Sequence, residues 1–468
     1  MTLRTLVLWT LAGPLAVTTS LPAETWDRFR GPNGSGVLDS TGDFPTAFGP
    51  DQNVLWKTPL PPGLSSPVLT AKQIFLTASD RDELITLALD RASGRLLWRR
   101  AVQRVRTEKL HQLNHASAAS IAVAPQRIVS FFGDFGMIAY DHDGGERWRV
   151  PLGPFNNIYG MGASPIVAGS RLILVCDQSK DSFIAAFDLA TGKQLWRTPR
   201  PEALSGHSTP ILHRGVIIAP GSFRMDAYDL ATGRIVWTAE GLPSEMKSVP
   251  VIDADTLYIH GFNTPENDPG RLIQVPRFAE ALASHDANKD GLIAASEAPT
   301  AHSKKLFPYI DLDGNGSMNE EEWSQYGRSM QAENAILAFD ISGPRPVLKW
   351  KFQRSIPQLP SPLVYRGIVY MINEGGVVTT LDARTGILHK QSRLRGTADR
   401  YYASPVAAAG KVILASHSGI VSVLAAGPAQ TLLATADFGE EILATPALSE
   451  PGRLYLRTRS ALWCFGTR

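Results

Sequence analysis

Ala88-Leu89-Asp90-Arg91-Ala92-Ser93-Gly94-Arg95-Leu96-Leu97-Trp98 belongs to a phrase that this chain repeats. In the form Ala-x-Asp-x-x-Ser/Thr-Gly-x-x-x-Trp it returns at Ala186, Asp188, Thr191-Gly192 and Trp196, and again at Ala227, Asp229, Thr232-Gly233 and Trp237. Degenerate copies run from Ala139-Tyr140-Asp141 to Trp148 and from Ala338-Phe339-Asp340 to Trp350. A further copy keeps Asp382 and Thr385-Gly386 but has Lys390 in place of Trp. The alternating residues before the Asp, such as Ile85 to Leu89, read as one strand, and the run to the Trp as the next. The Asp and the Thr-Gly pair make the turn, glycine supplying the left-handed conformation such a hairpin needs. An aromatic at a fixed place in each unit packs between neighbouring units.

A second phrase precedes each copy: a small residue, then Pro, then an apolar strand. It occurs at Ser66-Pro67, Ser164-Pro165, Thr209-Pro210, Val249-Pro250, Ser361-Pro362, Ser404-Pro405 and Thr445-Pro446, with Ala116-Ser117-Ala118 read as an eighth copy lacking the proline. Most recur every 40 to 52 residues, and only Pro250 to Pro362 is much longer. Four strands fit each period, which is the spacing of propeller blades. The last unit supplies Leu454 to Arg457 and Ala461 to Phe465 before the sequence stops, and Val54-Leu55-Trp56-Lys57 near the start reads as its missing outer strand. Sharing a blade between the two ends closes a ring and removes two sheet edges.

The fold expected is therefore all-β, an eight-bladed β-propeller with a small α-helical EF-hand insertion. Residues 1–23 read as a signal peptide and 24–52 as an N-terminal arm. Residues 53–263 hold blades one to five (first part), 264–334 the insertion, and 335–468 the rest of blade five to blade eight. The signal rests on Arg4, the short apolar run Leu6 to Val17 broken by Pro14, and Leu21-Pro22-Ala23 as a cleavage site. No later stretch is apolar for long enough to span a bilayer, so no transmembrane segment is expected in the mature chain, which is placed in the periplasm or outside the cell. The net charge of +2, with no basic block, argues against nucleic acid as a partner. Cys176 and Cys464 lie 288 residues apart and read as isolated buried thiols.

The insertion carries two twelve-residue loops. Asp286, Asn288 and Asp290 offer side-chain oxygens at positions 1, 3 and 5, Gly291 the turn, Leu292 a carbonyl at position 7, and Glu297 a bidentate carboxylate. Asp311, Asp313, Asn315, Gly316, the Ser317 carbonyl and Glu322 repeat the set. Each loop has an apolar approach, Phe278 and Leu282 for the first, Leu306 and Phe307 for the second. Ile293 and Met318 fall where paired loops join as a short β-bridge. The metal expected is Ca²⁺, which takes six to eight oxygens. Only Ala298 to Ile310 separate the loops, enough for one short shared helix. Residues 266–333 carry a charge of −6 against +8 on the remainder, so the two parts attract until a cation neutralises the acids.

These phrases resemble the tryptophan-docking repeats of the pyrroloquinoline quinone (PQQ) propeller superfamily over about residues 53–263 and 335–468. That group includes quinoprotein alcohol dehydrogenases and the propeller lipoprotein of the outer-membrane barrel assembly machine. The opening Trp26-Asp27-Arg28-Phe29-Arg30-Gly31-Pro32 resembles the lead-in of secreted bacterial members. The resemblance implies two alternatives, a non-catalytic binding or scaffold propeller and a PQQ-dependent dehydrogenase. The dehydrogenases use adjacent cysteines over the cofactor, which this sequence lacks, so PQQ is not the cofactor expected. No Ser/His/Asp order, His-Glu-x-x-His or Cys-x-x-Cys pattern suggests another chemistry, and no catalytic residue is assigned. Gly31-Pro32-Asn33-Gly34-Ser35-Gly36 lacks the Lys-Ser/Thr ending of a phosphate loop and reads as a flexible turn. The chain is expected to be a monomer that meets a protein or small-ligand partner at its funnel face. Asn114, His115, His207, Lys247, Arg400, Tyr401 and Tyr402, in the loops entering each blade, are the candidates for that contact.

Overall fold

The computed structural model describes residues 26–40, 42, 44–394 and 398–467, so the expected signal peptide lies outside the described residues. Eight four-stranded antiparallel sheets are present, together with a two-stranded bridge. Blades one to four follow one another along residues 68–103, 122–151, 166–199 and 211–240. Blade five is split: Val251–Asp253 and Thr256–Gly261 are its first strands, and Ala335–Asp340 and Val347–Phe352 its last. Blades six and seven occupy residues 363–393 and 406–437. Blade eight joins Ala447–Ser449, Arg453–Arg457 and Ala461–Phe465 to Val54–Pro59 from the other end of the chain, through the pairing of Lys57 with Trp463 and its neighbours.

The small residue before each proline has a mechanical job. At the axis, a backbone N–H of one blade donates to the hydroxyl of the corresponding residue in the next. Ser66 donates to Ser120 Oγ (3.0 Å), Ser120 to Ser164 Oγ (2.9 Å) and Ser164 to Thr209 Oγ1 (3.0 Å). Val249 donates to Ser361 Oγ (2.9 Å), Ser361 to Ser404 Oγ (2.9 Å), Ser404 to Thr445 Oγ1 (3.0 Å), and Thr445 to Ser66 Oγ (2.9 Å), which returns to the start. Val249 has no hydroxyl, and between blades four and five Ser208 Oγ donates to the Ser248 carbonyl instead (2.7 Å). Each bond satisfies a buried amide that would otherwise lose its partner. The ring also corrects the register of blade two: Ser120, not the Ala116-Ser117-Ala118 triplet, is its equivalent position.

At the perimeter the repeated Trp does a similar job. The indole N–H of Trp98 donates to the His142 carbonyl (2.8 Å), Trp148 to Leu189 (3.0 Å), Trp196 to Leu230 (3.2 Å) and Trp350 to Ala383 (3.0 Å), always in the following blade. The turn glycine lies beneath the indole. A Cβ on Gly94, whose φ is +72°, would stand 2.4 Å from the Trp56 ring, so the residue must be glycine for space as well as conformation. That contact is the shared blade eight docking on blade one. Where Lys390 replaces Trp, its ammonium donates to the Ala429 carbonyl (2.8 Å), also in the following blade but three residues beyond the position the indoles reach.

Gly31–Gly36, within the N-terminal arm, is expected from its composition to be a flexible turn, and its hydrogen bonds correct this. The arm lies across the inner strands of the ring. The Trp26 carbonyl accepts from Leu69 N (2.7 Å) and the Asp27 carbonyl from Val123 N (2.9 Å). Asn33 exchanges two hydrogen bonds with the Leu212 backbone, and Leu38 N donates to Ala407 O. Arg30, fully buried, donates to the carbonyls of Gly34 (3.0 Å), Ser35 (3.3 Å), Ser361 (3.4 Å) and Pro362 (2.7 Å). The Gly31–Gly36 segment bends tightly because it wraps this guanidinium, and the arm caps the axis as a plug. Cys176 and Cys464 are free and buried in blades three and eight. Among the described residues no helix is long and apolar enough to cross a membrane.

Deleting residues 51–60 removes the outer strand of blade eight and Trp56 together. The expected outcome is a large fall in the thermal unfolding midpoint with loss of one cooperative transition, followed by calorimetry; an unchanged transition would contradict ring closure. A second test concerns His260, fully buried, whose Nε2 lies 2.6 Å from the Pro360 carbonyl and must therefore donate, leaving Nδ1 bare. Burial pushes its pKa down from 6.5 to about 4. The unfolded chain therefore takes up this proton first, so the stability is complete above pH ~6.5 and declines as pH falls toward 4, by at most about 3 kcal/mol from this residue. Denaturant unfolding between pH 4 and 7 should show that slope, and it should be shallower in His260→Gln.

Candidate functional site

The hairpin between the second and third strands of blade five is replaced by residues 262–334. Three helices follow in this segment: α1 (Phe278–His285), α2 (Ala301–Ile310) and α3 (Glu320–Gln331). They pack a small core of their own from Ala281, Ile293, Phe307, Met318, Trp323 and Tyr326. Thr300 caps α2 by accepting from Ser303 N, and Asn319 caps α3 by accepting from Glu322 N. The two acidic loops lie between these helices, and Ile293 pairs with Met318 in the antiparallel bridge that ties the loops together.

Within each loop the acids are oriented by backbone amides. Asp286 accepts from Asp290 N (3.2 Å) and Gly291 N (3.0 Å), and Asp290 from Leu292 N (2.9 Å). Asn288 Oδ1 accepts from Asp290 N (2.9 Å). Glu297 reaches back over the loop to Ala287 N (3.0 Å), Asn288 N (3.3 Å) and Ala294 N (2.9 Å). The second loop repeats the pattern with Asp311 on Asn315 N (3.1 Å) and Gly316 N (2.9 Å), Asn315 on Ser317 N (2.8 Å), and Glu322 on Leu312 N (2.8 Å) and Asn319 N (3.1 Å). Carboxylate oxygens of Asp311, Asp313 and Glu322 lie within 4.8 Å of one another. The donors are all oxygen, the set a hard divalent cation takes.

The insert leans on the propeller through its second loop and the helices beside it. Tyr309 stacks on Tyr159 (5.9 Å between centroids), Asn156 Nδ2 donates to the Leu312 carbonyl (3.3 Å), and Lys180 lies 3.5 Å from Asp313. Arg328 pairs with Glu202 (2.7 Å) and covers Phe223 (4.3 Å). These partners belong to blades three and four, at the end where the blade-entry loops open. Tyr159 is also a wall of the axial funnel, a cavity of about 560 Å³ whose lining includes Phe29 of the arm.

Of the residues expected at the funnel, Asn114, His207, Lys247, Arg400 and Tyr402 line it. His115 faces a smaller neighbouring cavity instead. Tyr401 is a correction: it is buried among Tyr370, Val412 and Leu414 in the core between blades six and seven, because the side chains of Arg400 and Tyr402 take the other side of an extended segment. Sequence reasoning missed Tyr159, Gln358 and Glu374, which come from the long blade-three and blade-six entries and from a hairpin tip. The carboxylate within Asn373-Glu374-Gly375-Gly376, at the same end as the entry loops, was a usable signal for the last. Glu374 accepts from Gln358 N (2.8 Å) and Leu359 N (3.3 Å), yet burial raises its pKa. Tyr159 donates to Glu245 (3.0 Å), which also holds Lys247 (2.7 Å); burial and the Glu245 charge push the phenol well above its ordinary value. Burial and the nearby Lys247 ammonium hold the His207 imidazole down at about 4, so it is neutral at pH 7.

A family model described as outer membrane protein assembly factor BamB matches residues 30–157 and 81–276. The BamB protein of Burkholderia pseudomallei (strain K96243) is 24% identical over 213 residues, 44% of this chain and 52% of that protein, so the chain spans about half the length of the curated relative it matches. Among solved structures, BamB from Moraxella catarrhalis superposes with a TM-score of 0.58 at 14% identity, covering 89% of this chain and 97% of that one. A europium-containing methanol dehydrogenase gives 0.59 at 10% identity, covering 95% and 98%. At such identities the structural likenesses speak for the fold alone. The matches to the family model together run from residue 30 to 276, more than half of the 468 residues, and the chain belongs to the BamB-type family of β-propeller repeat proteins.

Proposed function

We propose that the chain is an exported, calcium-binding β-propeller, periplasmic or secreted, that acts as a monomeric, non-catalytic binding or scaffold protein. The observation that carries this reading is the pair of complete oxygen-donor loops, held in register by the Ile293–Met318 bridge. Asp286, Asn288, Asp290, the Leu292 carbonyl and Glu297 would hold one Ca²⁺. Asp311, Asp313, Asn315, the Ser317 carbonyl and Glu322 would hold the other. Bound Ca²⁺ would neutralise the acids and fix the loops; the chain's own contribution is to orient the carboxylates through the loop amides and to seat the second loop against blade three.

The recognition surface in this reading is the funnel end, where the blade-entry loops, Tyr159 and the insert meet. A protein or small ligand is the partner proposed there. The relatives' name, an assembly factor for outer membrane proteins, supports an exported location and a scaffold role. We assign no quinone: Cys176 and Cys464 belong to blades three and eight, so the adjacent-cysteine feature of quinoprotein dehydrogenases has no counterpart in this chain.

Isothermal titration of the full chain should show two Ca²⁺ taken up, and Glu297→Gln with Glu322→Gln should abolish high-affinity uptake, since each replaces a bidentate carboxylate. Replacing residues 265–333 with a Gly-Asn turn should leave a folded propeller without Ca²⁺ uptake, because the ends of a hairpin are only about 5 Å apart. Unchanged uptake in the double variant would contradict the reading. Separately, added PQQ and Ca²⁺ should give neither dye-linked alcohol oxidation nor quinone absorbance retained after desalting; stoichiometric retention would favour the dehydrogenase alternative.

A further inference from the structure

Beside the funnel, between the entry loops of blades one and two and the loops of blades seven and eight, lies a second cavity of about 290 Å³. Arg457 forms part of its lining and is 2% exposed. Its Nη1 donates to the Ser65 carbonyl (3.0 Å), Ser65 Oγ (2.8 Å) and the Thr77 carbonyl (2.9 Å), and its Nη2 to the Pro61 carbonyl (3.4 Å), while its buried Nε has no hydrogen-bond partner among the described residues. No carboxylate pairs with it there, and burial alone lowers its pKa to about 9. Arg30 is equally buried without a carboxylate, but its Nε is engaged by Gly34. Taking a charge out of water costs several kcal/mol unless a counter-charge compensates. At Arg457 only dipoles do so, and its field reaches into a polar cavity.

The rest of that cavity suits an anion. His115 Nδ1 lies 2.8 Å from Ser117 Oγ and 3.4 Å from Ser117 N, and in the tautomer in which it accepts from both the ring proton is on Nε2, free for the cavity. Burial and the Arg457 charge keep this imidazole neutral at pH 7. Gln112 and Arg459 add donors. Glu441, the acidic residue on the lining, is held by Arg459 (2.6 Å) and lies 3.8 Å from His417. We propose that this cavity binds an oxyanion, a carboxylate or phosphate group, with Arg457 supplying the charge and His115 and Gln112 the neutral donors. The inference rests on the reading of the funnel end as a recognition surface and is independent of calcium.

The test uses the full chain with sodium phosphate and sodium acetate as separate probes, against sodium chloride at equal ionic strength. Saturable binding of at least one oxyanion is expected by titration calorimetry, with the His115 ring titrating at higher pH in its presence, as neutralising Arg457 requires. Arg457→Met should weaken binding about ten-fold or more, through loss of the buried positive charge beside the cavity. Should that variant not fold, Gln112→Ala with His115→Phe, which keeps the buried charge, should still weaken binding. The phosphate and acetate arms identify the anion preferred. No saturable binding above chloride, or binding unaltered in the folded variants, overturns the site, and either result leaves the calcium titration and a funnel partner of other chemistry standing.

Discussion

A backbone amide at the axis of each blade needs an acceptor, and in this propeller the next blade provides one. The hydroxyls of Ser66, Ser120, Ser164, Thr209, Ser361, Ser404 and Thr445 accept those amides in a near-complete circle. The bonds are buried, so losing one leaves an unpaired N–H as well as a missing contact. The circle therefore fixes blade spacing at the centre, while indoles such as Trp98 and Trp196 fix it at the perimeter. The axial circle closes at Thr445 and Ser66, and the perimeter closes where Val54–Pro59, beside Ala461–Phe465, sets Trp56 over Gly94; the arm then caps the axis and leaves the funnel at the other end blind.

The insertion is compatible with this because it enters where the constraints are weakest. Thr256–Gly261 and Ala335–Asp340 keep full antiparallel register across the splice, from Thr256 with Asp340 to Gly261 with Ala335. Among the described residues, the axial interface without the hydroxyl bond is the one entering the same blade, at Val249, where Ser208 substitutes. The insert returns to the propeller through Tyr309, Leu312 and Arg328: the second acidic loop meets blade three at Asn156 and Lys180, and α3 meets blade four through Arg328 on Glu202.

The fold was legible because its constraints are local and repeated. Asp-x-x-Thr-Gly marks a turn, Trp its interface, and Ser/Thr-Pro the axial bond, so period and closure could both be counted. Blade two was misplaced because it lacks the proline, and the hydroxyl at Ser120 identifies the register only once its partners Ser66 and Ser164 are seen. Gly31–Gly36 read as mobile because glycine-rich composition does not reveal that the segment wraps the buried Arg30. The acidic residues of the two loops can be named from the sequence, since their spacing is continuous in it; that they hold Ca²⁺ is a proposal. The funnel was only partly so: it is assembled from distant loops, and the alternation that buries Tyr401 while presenting Arg400 and Tyr402 depends on backbone geometry. Arg457 carried no signal at all, because its significance lies in the absence of a nearby carboxylate.

The proposal that two Ca²⁺ ions sit at the funnel end is tested most directly by a crystal structure grown from Ca²⁺-containing solution, with anomalous differences collected to locate the metal. Two peaks are predicted, one amid Asp286, Asn288, Asp290 and Glu297 and one amid Asp311, Asp313, Asn315 and Glu322, with the second loop still resting on blade three. Loops free of anomalous signal at saturating Ca²⁺, or peaks confined to other residues, would contradict it.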